Sequence, residues 1–260
     1  NVAASFSAEW LNASGKYKFR YRRVNPAGEI AYDTTAVREN GDINATRLEA
    51  GLYGTIERGT WNAKVYNYNS ERGIPGAIVN NVWRRGERVW DTNSFFQGSF
   101  VKEVNDQFKT QVNAKYAFYR THYVNNDDKL IEVDNLYKQR EVYVSTANMY
   151  TIFPFWDVSM SYDFQWNEMK ADMYGFVFPT RFTNLLSIAT ALRLGKVKLQ
   201  GSGLATFVND QVKEGPAPKA RQILTPAVFL SYKPFDKHDF SLRAFYKKTF
   251  RMPTFNDLYY

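Results

Sequence analysis

The side chains most able to do chemistry in this sequence are four arginines, Arg72, Arg84, Arg85 and Arg88, with Trp83 and Trp90 among them. Guanidinium groups pair with anions, often through two parallel hydrogen bonds, and indoles stack on flat groups and on cations. A loop carrying both could close over an anionic ligand, since binding residues favour loops. Solvation, or contact with phosphates at a surface, accounts for the same arginines, and the balance tips modestly that way. Tyr174, Phe176 and Phe178 form a second aromatic group. They suit a ligand platform or, with more weight, a belt at a membrane interface. His122 and His238 stand alone. His122 near a loop could ligate a haem iron, but an isolated solvated histidine is the simpler account, and His238 reads as structural.

The chemistry that is missing narrows the field. There are 0 cysteines, which removes disulfides, thiol catalysis and thiolate metal sites. No paired histidines, glycine-rich phosphate loop or nucleophile elbow is present. Asp127-Asp128 lacks the spacing of a calcium-binding EF-hand loop. The sequence therefore points to no catalytic residues, no metal site and no cofactor, and the expectation is a protein that is not an enzyme.

The stretch that positions everything else is Asp157–Trp166. Val158, Met160, Tyr162, Phe164 and Trp166 alternate with Asp157, Ser159, Ser161, Asp163 and Gln165. Side chains on a strand alternate faces, so one surface is apolar and the other wet. The same alternation recurs in Val2–Trp10, Arg47–Ile56, Phe108–Phe118, Leu186–Leu194 and Phe240–Lys247. It gives about eleven strands, joined alternately by short turns and long loops. The turns are expected near 57–60, 103–106, 153–156, 195–196 and 234–236, and the loops near Gly28, Arg84, Asp128, Phe176 and Pro216. The stretch at 17–21 reads as a resumption of the first strand, 25–42 as a polar loop, and Asn209–Pro218 as loop because proline donates no ladder bond.

Composition decides what the apolar face meets. The 260 residues are 44% hydrophobic and 17% aromatic, dominated by Phe (20) and Tyr (18), residues suited to strands and to membrane interfaces. No run approaches the roughly eighteen apolar residues of a spanning helix, but a barrel strand needs only every second residue apolar. Long connections confined to one end are the habit of outer-membrane barrels. The net charge of +8 favours anionic partners such as lipopolysaccharide phosphates or an acidic small ligand. Nucleic acid is the weakest partner, because no module gathers the basic residues. The start, Asn1-Val2-Ala3-Ala4-Ser5, is no signal peptide, and an exported protein would here begin in mid-chain.

The last residues, Phe250-Arg251-Met252-Pro253-Thr254-Phe255-Asn256-Asp257-Leu258-Tyr259, break the alternation. The plain reading is a strand end capped by aromatics at the membrane interface. The segment also resembles one that tops a late barrel strand in TonB-dependent outer-membrane receptors, with Met252 where alanine is usual. Tyr21-Arg22-Arg23 and Ser70–Gly76 look like loop-edge segments of that family, with less specificity. The resemblance implies an all-β antiparallel meander forming part of a transmembrane barrel of about 22 strands. Residues 1–260 would then be one partial barrel domain in the cell outer membrane, with the plug and energy-coupling box upstream. It implies uptake of a scarce chelate, such as a ferric siderophore, haem or cobalamin, powered by the TonB complex acting on the plug. It leaves room for a surface lipoprotein over the mouth. The resemblance implies ligand contact for Arg251, Asn256 and Tyr259, a structural role at the strand top being about as well supported. Lumenal Lys109, Lys115, Arg193, Arg243 and Lys247 would meet plug carboxylates or water. Two rivals stay open. One is a passive porin or adhesin barrel; the other is a soluble β-rich carbohydrate-binding protein, in which both faces of Asp157–Trp166 would be covered by protein.

Overall fold

The computed structural model describes residues 1–76, 78, 86–126 and 132–259, the side chain of Asn256 excepted. Eleven strands form one antiparallel sheet. In chain order they are β1 (Val2–Ala13), β4 (Ile43–Ile56), β5 (Gly59–Ile74), β6 (Glu87–Glu103), β7 (Phe108–Asn125), β8 (Val133–Phe153), β9 (Trp156–Ala171), β10 (Thr180–Leu194), β11 (Val197–Gln211), β12 (Arg221–Tyr232) and β13 (Leu242–Lys247). Each pairs with its neighbours in that order, as a meander does. Two further strands, β2 (Tyr17–Val24) and β3 (Ile30–Arg38), make a separate hairpin. The chain ends in a short helix, α1 (Phe255–Tyr259).

The connections sort by length as the pattern predicts, except that 233–241, expected as a turn over 234–236, is as long as 212–220 at the opposite end. Residues 57–58, 104–107, 154–155, 195–196 and 233–241 join strands at one end. At the other end the chain crosses through 14–42, 75–86, 126–132, 172–179 and 212–220. Local chemistry shapes the short turns. Arg58 adopts a left-handed φ of 54° in a two-residue turn. Asn105 Oδ1 accepts from the backbone N–H groups of Gln107 and Phe108 at 2.9 and 2.8 Å.

Several boundaries differ from expectation. Residues 17–21 do not continue β1, and 25–42 is not plain loop. Both belong to the hairpin, which turns at Asn25–Glu29, where Asn25 Oδ1 accepts from Ala27 N and Glu29 N. Gly15 allows this departure: its φ is 60°, and a Cβ there would overlap the Gly41 carbonyl. Asn209 and Asp210, expected in a loop, lie in β11, because the β10–β11 ladder runs on to the Thr180–Gln211 pair. Strands β6 and β8 also begin earlier than their alternation suggests, at Glu87 and Val133. Polar residues on their upper parts hide the period, while the ladder to neighbouring strands continues.

Register carries the apolar stripe across the sheet. Phe6, Ala50, Val65, Phe96, Tyr116, Val142, Trp166 and Phe182 form one cross-strand row. Nothing among the described residues covers this face: Phe6 is 74% exposed, Phe96 53%, Met160 49% and Ile188 55%. The soluble reading required Met160 and Tyr162 to be packed against protein, and they are not. The opposite face behaves differently. Every buried non-glycine residue of the large sheet, from Ala45 and Ser70 through Ala117, Ser145 and Asn167 to Thr206 and Asp210, points to the polar side. That asymmetry is what a sheet curled with its polar face inside produces. The exposed area, 17177 Å², exceeds the roughly 11,700 Å² of a compact globule of 30.2 kDa. From Val158 to Trp166 the apolar run of β9 spans about 27 Å along the strand, or about 21 Å in height at the usual barrel tilt.

A charge on the outer face of this band should therefore be costly, and one on the inner face cheap. Leu186→Arg in the full-length protein should lose about 2–4 kcal/mol of folding stability in lipid vesicles. The neighbouring Ser187→Arg should lose less than about 1 kcal/mol. Urea titration of both variants measures the difference.

Candidate functional site

The polar face is lined with ion pairs between adjacent strands. Lys64 Nζ lies 2.7 Å from Glu49, Lys115 Nζ 3.0 Å from Glu141, and Arg193 2.7 Å from Asp157. Arg47 pairs with Glu9. Lys115 also sits over the Phe95 ring, 5.6 Å from its centroid, and Phe95 stacks on Tyr66. The expectation that lumenal Lys109, Lys115 and Arg193 await carboxylates of another domain is therefore corrected. The wall supplies its own acids, Lys109 meeting Glu103 at 3.6 Å. A carboxylate directly opposite or diagonal on the next strand is closer than anything across a wide lumen.

At the long-loop end this face gathers into a built site. Asn167, Arg181 and Asp210 stand in one row across β9, β10 and β11. Arg181 Nε and Nη2 donate to the two Asp210 oxygens at 2.6 and 2.7 Å, with both side chains buried. The same guanidinium donates from Nη1 to the Pro253 carbonyl at 2.6 Å and lies under the Phe255 ring, 4.9 Å from its centroid. Tyr259 closes the arrangement, its hydroxyl donating to Asp210 Oδ2 at 2.9 Å. Burial and the Asp210 carboxylate push the Tyr259 phenol up to about 12.

The helix that delivers these groups is held by its own sequence. Thr254 and Asp257 form a capping box: Thr254 N donates to Asp257 Oδ2 at 2.7 Å, and Asp257 N donates to Thr254 Oγ1 at 3.3 Å. These hydrogen bonds hold the Asp257 carboxyl below its usual range. Phe255 then packs with Met169, Ala171 and Phe176 in a small apolar core, with Tyr137, Met173 and Phe178 around it. The aromatic cap expected at the membrane interface thus turns inward, because the chain after Pro253 folds over the concave face. Beneath it is a cleft of about 480 Å³ lined by Glu141, Gln165, Asn167, Arg181, Met252 and Phe255. Amides, a carboxylate and apolar edges can hold a small polar solute there through hydrogen bonds.

The residues singled out from the sequence are dispersed. Trp83, Arg84 and Arg85 lie outside the described residues, as do Asp127 and Asp128 and the Asn256 side chain. Arg72, expected in a loop with Arg88 and Trp90, is a strand residue of β5 on the lumenal face, 3.4 Å from Asp91. Arg88 and Trp90 are in β6 on the outer face. Arg88 binds Asp42 at 2.9 Å and Glu71 at 2.7 Å, and hydrogen bonding by Arg88 holds the Asp42 carboxyl down. Trp90 packs on His122, whose Nε2 is 2.6 Å from Asp134. Tyr174 and Phe176 separate: Tyr174 is fully exposed, whereas Phe176 is 2% exposed within the apolar core. Arg251 is open to solvent, 3.9 Å from Asp257, and Tyr259 is the one candidate seated in the built site. Sequence reasoning missed Arg181, Asp210 and Phe255. Counting equal steps either way from the Gly195–Lys196 turn would have set Arg181 opposite Asp210.

No family model and no curated protein matches the chain. Solved structures do. The ferric citrate transporter FecA in its unliganded form is 12% identical over 91% of this chain, with a TM-score of 0.59. The copper transporter OprC is 13% identical over 98%, with a TM-score of 0.66. This chain spans 40% and 45% of those two chains, less than half of either. Its fold is thus shared with part of each of these two transporter chains.

Breaking the Arg181–Asp210 pair should free the helix. Arg181→Met strands a buried carboxylate at a cost of about 3–5 kcal/mol, against about 1 kcal/mol for Tyr259→Phe. Hydrogen exchange over 250–259 should rise strongly in the first variant and slightly in the second. The Tyr259 phenol also sets a pH limit. Its folded value is raised above the ordinary value of about 10, so its contribution is complete below pH 10 and lost as pH climbs through about 12. Exchange at the helix should increase across that window, and Tyr259→Phe should flatten the rise.

Proposed function

We propose that this chain is part of the wall of an outer-membrane, TonB-dependent receptor that takes a scarce chelated ligand into the periplasm. The supporting observation is the pairing of two features. A lipid-compatible wall carries all but one of its long connections at one end, and a polar cleft beneath a latched helix opens at that same end. Its two open edge strands, β1 and β13, invite further strands, so residues 1–260 are read as one partial barrel domain of a larger closed wall. The ligand belongs to the ferric siderophore, haem or cobalamin type, and the connection that bears Tyr174 faces the medium where it is captured. A plug domain and the TonB complex complete the machine, and a surface lipoprotein can sit over the mouth.

One observation favours a second reading. Seven lumenal cations, Lys115 and Arg193 among them, pair within the wall, as a passive channel without a plug would also require. Uptake separates the two. Cells carrying the full-length protein should accumulate labelled ferric chelate only when the TonB complex is intact, and mass spectrometry of the purified receptor should find a small chelate bound. Accumulation that persists without TonB, together with steady ion conductance in a planar bilayer, would establish the passive channel instead.

A further inference from the structure

We propose that the outer face of β7, β8 and β9, just beyond the apolar band, binds the phosphates of lipid A in the outer leaflet. The inference rests on the wall being a membrane barrel and not on what the barrel carries.

The register places the site. The topmost apolar row on these strands is Tyr116, Val142 and Trp166. One step outward along the same face stand Phe118, Arg140 and Glu168, and one step further Arg120, Lys138 and Lys170. Three cations therefore lie side by side on adjacent strands, roughly 4.8 Å apart at the backbone, with a fourth immediately below. Like charges opposite one another on a sheet repel.

On the inner face Arg47, Lys64, Arg72, Lys109, Lys115, Arg181 and Arg193 each have an acid beside them. Here the acids are spoken for. Glu168 lies opposite Arg140 in register, yet its carboxylate pairs with Lys170 at 3.2 Å. Glu71 and Asp42 serve Arg88, and Asp134 serves His122. Among the described residues no carboxylate pairs with Arg120, Lys138 or Arg140. Lys138 and Arg140 are exposed, and Arg120 is half-buried. An anion held between them would relieve the repulsion, and phosphate accepts from several guanidinium and ammonium groups at once.

Height selects the source of that phosphate. Arg140 sits about 5 Å and the Arg120 row about 10 Å above the last apolar row, taking two and four residues at the usual strand tilt. The headgroup layer of a bilayer extends about 5–8 Å beyond its hydrocarbon. Long basic side chains on that row bend down to it while their stems cover apolar surface. The long connections mark this end as external. The patch is continuous with the lipid-facing band, so its occupant enters from the membrane plane.

The test uses the full-length receptor in non-ionic detergent, titrated with bis-phosphorylated hexa-acyl lipid A and read by native mass spectrometry. The double variant Lys138→Gln/Arg140→Gln should bind about thirtyfold more weakly, from the usual worth of a basic residue at an anionic membrane surface. Should that variant fail to fold, Lys138→Gln alone should show about a fivefold loss on the same basis. A control at the short-turn end, Lys233→Gln/Lys237→Gln, should leave binding unchanged. Lipid A stripped of both phosphates should bind weakly to every form. Equal binding by wild type and double variant, or an equal loss in the control, overturns the proposal. Full displacement by millimolar inorganic phosphate overturns the lipid assignment in favour of a free-anion site. No transported ligand is involved, so this result and the uptake result stand apart.

Discussion

The structure depends on satisfying backbone hydrogen bonds in a place without water. A strand that crosses hydrocarbon can leave no N–H or C=O unpaired, so each of the inner strands must be bonded on both sides along its whole length. The ladder from β1 through β12 meets that demand over most of the sheet, although β13 covers β12 only along Ala227–Tyr232. Once the ladder is fixed, side chains have only two directions available, and the sequence sends them apart. Phenylalanine, valine, leucine and isoleucine go outward, while serine, asparagine, glutamate and lysine go inward. A slip of one residue between any two strands would exchange the faces. The regular registers and the coherent apolar rows are thus a single fact seen twice.

Charge follows the same division. Inside, acid and base meet on neighbouring strands at seven cations from Arg47 to Arg193 and cancel there locally. Outside and above the lipid band, cations accumulate without such partners. Between these zones, at the loop end, Arg181 joins a strand pair to a segment far along the chain through three different contacts. Its guanidinium is shared by a carboxylate, a carbonyl and an aromatic ring. That sharing explains why a five-residue helix, too short to be stable alone, has a defined seat.

The wall was legible in the sequence because period-two alternation is both strict and repeated. All eleven strands of the large sheet were expected in order, as was the sorting of short and long connections. What escaped notice has physical causes. The alternation of Tyr17, Phe19 and Tyr21 with Lys18, Arg20 and Arg22 reads equally as a resumption of β1, since nothing local shows that its partner is β3 and not the large sheet. Phe176 and Phe255 looked like interface aromatics, since nothing local distinguishes a ring that faces lipid from one that folds inward. Trp90 and Arg72 are adjacent to a loop in sequence but sit on opposite faces of the sheet. Only the register, a property of paired strands, reveals that.

The hairpin adds no rung to the wall. It is attached through the Gly15–Gly41 crossing and through Arg38, which donates to the carbonyls of Pro75 and Gly76. Its length and sequence can therefore drift without disturbing the fit to the bilayer.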